Sequence, residues 1–88
     1  MKIKDGFLLR KVAGTDIVVP IGGRVIDFKG MMALNELGRF IWEALQSECT
    51  FDELISAVLE NYDVDADTAK TDIKDFLTLI RKNGALIE

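Results

Sequence analysis

The side chains most able to do chemistry in this sequence are carboxylates, and Asp63, Asp65 and Asp67 alternate along one short stretch. Alternating acids open a calcium loop, but such a loop also needs a glycine at its sixth position and a bidentate glutamate at its twelfth. Counted from Asp63, those positions hold Thr68 and Lys74, so helix capping and solvation account better for the three acids. The chain has no histidine, which removes the usual general base and the commonest metal ligand. Its single cysteine, Cys49, has no cysteine or histidine companion at a zinc or iron–sulfur spacing. Nothing around Cys49 in the sequence marks a reactive thiol, so it reads as a residue joining two helices. Gly22, Gly23 and Gly30 form neither a GxGxxG turn nor a P-loop. The reading is therefore of a non-enzyme, with no catalytic residue, no metal site and no cofactor.

What remains is recognition. Lys70, Lys74, Leu77 and Arg81 recur at i, i+4, i+7 and i+11, which places them on one flank of a helix. That flank is basic in a chain of formal net charge −4. Facing the edge of a sheet, it would make a groove suited to an acidic, partly apolar peptide. On composition alone a solvated helix face is favoured, with Lys70 and Lys74 pairing with acids such as Asp67 and Asp75.

The elements that must position these residues follow from periodicity. Residues 7–13 alternate as a strand, and Gly14-Thr15 reads as a tight turn. Residues 16–20 are rich in β-branched side chains and end at Pro20, which cannot donate to a ladder. After Gly22-Gly23, the run Arg24, Val25, Ile26, Asp27 and Phe28 reads as a third short strand, closed by Lys29-Gly30. An exposed edge of such a sheet can accept an extended peptide as an added strand. Arg24 and Asp27 could equally guard a plain hairpin edge.

The period then changes. Asn35 caps a helix whose stripe is Leu37, Phe40, Ile41, Ala44 and Leu45. Gly38 within it costs helix stability, which a close packing contact would explain. Thr50 and Glu53 have the spacing of a capping box before Leu54, Ile55, Val58 and Leu59. Asp65 caps a third helix to about Lys82, with Ala69, Ile73, Phe76, Leu77 and Ile80 as its stripe and Asn83-Gly84 as its stop. Ala85-Leu86-Ile87 is expected to pack back onto the body.

Strands followed by helices indicate an α+β fold, with a three-stranded antiparallel sheet then three helices in a winged helix-turn-helix-like form. The 88 residues fit one domain, 1–88. A lone cysteine and the lack of a signal-like apolar run point to the cytoplasm and away from membranes. The acidic balance, with a pI of about 4.7, disfavours nucleic acid. So does the second helix, which carries Asp52, Glu53 and Glu60 and no lysine or arginine.

One family matches these features together. Gly6-Phe7, Leu9-Arg10, Val18-Val19-Pro20, Leu34-Asn35-Glu36-Leu37-Gly38, Ile41-Trp42, Thr50 with Glu53-Leu54, Tyr62-Asp63, Asp72-Ile73, Phe76-Leu77 and Gly84 resemble the PqqD family in order and spacing. The resemblance covers essentially the whole chain. It implies a RiPP recognition element, a domain that binds the leader of a ribosomally made precursor peptide. Such a domain delivers the leader to a modifying enzyme, often a radical SAM protein with a SPASM-type extension, as in pyrroloquinoline quinone biosynthesis. The resemblance also implies that the leader adds as a strand in a groove against the third helix. Mapped here, the peptide-binding residues would be Arg24, Val25, Ile26, Asp27 and Phe28 opposite Lys70, Ile73, Lys74, Leu77 and Arg81. A stand-alone recognition protein serving a lasso-peptide leader peptidase is the alternative reading. Short hairpin turns would also permit a homodimer by strand exchange.

Overall fold

The structure, a computed structural model, describes residues 1–22 and 31–88. Its elements in chain order are β1 (Lys2–Ile3), β2 (Phe7–Val12), β3 (Thr15–Pro20), β4 (Met32–Leu34), α1 (Glu36–Ala44), α2 (Phe51–Asn61), α3 (Ala66–Lys82) and β5 (Leu86–Ile87). Strands β2, β3 and β4 form an antiparallel sheet in that order, and the three helices follow it. This is the α+β arrangement expected.

The β2–β3 hairpin turns on Ala13 (φ 52°) and Gly14 (φ 82°), directly inside the Val12↔Thr15 pair. Two consecutive left-handed residues give the turn a twist that matches the strands it joins. The turn lies one residue earlier than Gly14-Thr15, because alanine at its first position gives no sequence signal for a left-handed conformation. Pro20 ends β3 opposite Phe7, as its missing N–H requires.

The third strand of this sheet is β4, paired Val18↔Met32, Ile17↔Ala33 and Asp16↔Leu34. The run Arg24 to Phe28, expected as the third strand, lies outside the described residues. In β4 the side chains alternate: Met32 and Leu34 are buried and Ala33 is exposed.

The helices begin where their caps are. Asn35 Oδ1 accepts from the Gly38 N–H at 2.7 Å. Thr50 and Glu53 complete the reciprocal box, at 3.1 Å to the Glu53 N–H and 2.8 Å from the Thr50 N–H. Asp65 accepts from the Thr68 N–H at 2.7 Å. At the other end of α3, Gly84 takes φ 72° and stops the helix. Ile41, Leu45, Leu54, Val58, Ile73 and Ile80 are fully buried with Val18 from the sheet, so helices and sheet share one core. Phe7 meets Trp42 edge-on at 6.1 Å and ties the hairpin to α1.

The chain ends are stitched together. β1 pairs antiparallel with β5 through Lys2↔Ile87 and Ile3↔Leu86. The Met1 ammonium donates to Glu48 at 2.7 Å and to the Cys49 carbonyl at 2.9 Å. Ala85 and Leu86 are buried, so the last residues pack onto the body as expected. Among the described residues no helix is long and apolar enough to cross a membrane.

Candidate functional site

Among the described residues β4 pairs on one side only, with β3. Its other edge therefore presents backbone N–H and C=O groups without a described strand partner. Ala33 is exposed on this strand and Met31, just before it, is 69% exposed.

Helix α3 meets α1, the helix that β4 leads into, at Gly38 and Phe76. Its residues Asp72, Asp75, Phe76 and Leu79 share a cleft of about 320 Å³ with Asn35, Leu37, Gly38 and Ile41. These four fall at i, i+3, i+4 and i+7, so they form one stripe of the helix. The same stripe continues to Asn83, whose side-chain amide reaches the Met32 sulfur at 3.9 Å. Met32 thus lies beside Asn83, while Asn35 and Gly38 lie beside Phe76, and α3 runs antiparallel to β4. The lengths agree: seven helical residues rise roughly 10 Å, and so do three strand residues.

Gly38 sets how closely the walls approach. A Cβ placed there would sit 3.1 Å from the Phe76 ring and 3.2 Å from Asn35 Oδ1. The close contact that a glycine inside α1 called for is therefore with α3. Leu37, Phe76 and Leu79 give the cleft an apolar wall, while Asp72 and Asp75 are exposed on α3 beside it. No lysine or arginine lines this cleft among the described residues.

The basic residues singled out from sequence lie elsewhere on the helix. Lys74, Leu77 and Arg81 share a separate pocket of about 390 Å³ with Met1, Phe51 and Thr78. At about 100° per residue, the Lys70–Lys74–Leu77–Arg81 stripe is on the opposite side of α3 from the Asp72–Asp75–Phe76–Leu79 stripe. Lys70 and Lys74 are exposed, while Ile73 is fully buried and Leu77 is 4% exposed, so both apolar residues belong to the core. Arg81 is held by Glu88 through two hydrogen bonds of 2.8 and 2.7 Å, which raises the pKa of the guanidinium and lowers that of the carboxyl. Arg24, Val25, Ile26, Asp27 and Phe28 are outside the described residues. Asp72, Asp75 and Leu79 were not singled out from sequence as binding residues. Their spacing was legible, but nothing in a helical stripe says which flank meets α1 at Gly38.

Cys49 takes no part in either cleft. Burial, and then the nearby Glu53, push its thiol pKa up, against a smaller opposing pull from the Met1 ammonium. A thiol held protonated in this way is a poor nucleophile.

The family model described as Coenzyme PQQ synthesis protein D (PqqD) matches residues 18–86. The solved structure of TbiB1 in complex with the TbiA(beta) leader peptide has the same fold. It superposes with a TM-score of 0.76 at 23% identity, covering 98% of this chain and 94% of that one. No curated protein sequence matches the chain significantly.

Proposed function

The chain belongs to the PqqD family, and on that premise we propose that it is a non-catalytic adaptor for the leader segment of a ribosomally made precursor peptide. The observation that carries this reading is the edge of β4 that has no strand partner among the described residues, with Asn35, the residue after β4, lining the cleft between α1 and α3. The TbiB1 structure, of the same fold, holds a leader peptide, which supports the reading.

An extended leader would add to β4 as a further antiparallel or parallel strand. Main-chain hydrogen bonds would set register and supply much of the affinity. Side chains on one face of the leader would enter the cleft against Leu37, Phe76 and Leu79, and those on the other face would remain in solvent. The adaptor does no bond chemistry. It raises the concentration of the precursor at a modifying enzyme, for which we propose a radical SAM protein with a SPASM-type extension, acting in the cytoplasm.

The test is fluorescence polarisation with the labelled leader of a precursor encoded beside this gene. Saturable binding that the core peptide does not compete is expected. N-methylation of alternate leader amides should then abolish binding at one parity and spare it at the other, since only alternate residues of an added strand bond to β4. Failure of the folded protein to bind the leader at high micromolar concentration would overturn the reading.

A further inference from the structure

We infer that the peptide strand beside β4 carries a lysine or arginine on the face it turns to α3, held by Asp72 and Asp75. This rests on the peptide-binding reading above and adds the charge class of the ligand.

Both acids lie three residues apart on the stripe that lines the cleft. Several other acids of the chain are already engaged. Asp16 pairs with Lys11 and Arg39, Glu43 with Arg39, and Glu88 with Arg81, while Glu53 and Asp65 serve as helix caps. Asp72 and Asp75 have no ion-pair partner among the described residues. Next to them on the same flank are Phe76 and the exposed side chain of Leu79. An apolar wall with carboxylates at its rim suits a side chain that is apolar along its stem and cationic at its tip. The methylenes of lysine or arginine would lie on Leu79 and Phe76 while the head reaches the acids. An acidic residue at the same place would face two like charges and no cation among the described residues, so the cleft also selects against it. Because strand side chains alternate, an apolar residue two positions away would fill the remaining wall by Leu37.

The experiment is to select a displayed library of random extended peptides on the immobilised chain. Recovered peptides should share a lysine or arginine two residues from an apolar side chain. A peptide so recovered should bind the Asp72→Lys, Asp75→Lys double variant at least about tenfold more weakly. Selection on that variant should favour Asp or Glu at the same position. The double variant Lys70→Glu, Lys74→Glu, on the opposite flank, should bind the original peptide unchanged. Circular dichroism confirms that both variants fold, which is expected because all four positions are exposed. Peptides recovered without charge preference, or acidic peptides whose binding is lost only in the Lys70→Glu, Lys74→Glu variant, would overturn this inference and leave the adaptor reading standing. Recovery of no peptide by the folded chain would overturn both.

Discussion

Asn35, Thr50 and Asp65 each stand one residue before a helix and each accepts a hydrogen bond from its first turn. All three were legible in the sequence, because a cap is a local device whose partner lies three residues away. Two carboxyls within these caps respond to pH. Hydrogen bonds with Thr50 lower the Glu53 pKa, and hydrogen bonds with Thr68 lower that of Asp65. A carboxyl whose pKa is lower in the folded state contributes stability that is fully present above its unfolded value. That contribution is lost as pH falls through the folded value. The unfolded values are roughly 4.3 for Glu and 3.9 for Asp, so the melting temperature should drop as pH falls below about 4. In the double variant Glu53→Gln, Asp65→Asn, melting measured across the same range should depend less on pH. An unchanged slope would show that the caps do not carry the effect.

Between elements, the contact that shapes the site is that of α1 with α3 at Gly38 and Phe76. Gly38→Leu would force a branched side chain against the Phe76 ring and the Asn35 cap. Overpacking of this kind costs about 1–3 kcal/mol, and the regained helix propensity offsets up to about 1 kcal/mol of it. The urea midpoint should therefore fall. Peptide binding should also be lost under conditions where the variant is still folded, because the new side chain occupies the cleft. A variant that binds peptide as tightly as the parent would remove the cleft from the proposal. The need for a close contact at Gly38 could be read from sequence, but its partner could not, since periodicity fixes a face and not what it meets. The same limit separated the two flanks of α3. The basic stripe and the acidic stripe were equally visible, and only the fold places Asp72 and Asp75 in the cleft with Asn35, the residue after β4. β4 itself escaped notice for a different reason. Met31, Met32, Ala33 and Leu34 include no β-branched or aromatic residue, and their strand form depends on pairing with β3.

At the scale of the whole molecule, an 88-residue chain with one cysteine, and so no internal disulfide, depends on every buried apolar group it has. Leu86 is 8% exposed, in a two-residue strand that pairs only with β1 among the described residues. Leu86→Ala should cost about 2–5 kcal/mol, read from urea unfolding, because it leaves a cavity under the clamp that joins the two ends. A loss below about 0.5 kcal/mol would mean that the clamp is decorative. That β5 packs back was readable from its apolar run after a helix stop. That it pairs with β1 was not, because two two-residue strands carry no period.

The β1–β5 pair has a consequence for how such a module can be wired to other proteins. Lys2 and Ile87 are direct partners across an antiparallel ladder, so their backbones are about 5 Å apart. Entry and exit points this close resemble the two feet of a hairpin. The whole domain could be spliced into a surface loop of an enzyme without prising that loop open, or circularised with a short linker and reopened elsewhere. The pairing of β1 with β5 makes the fold portable.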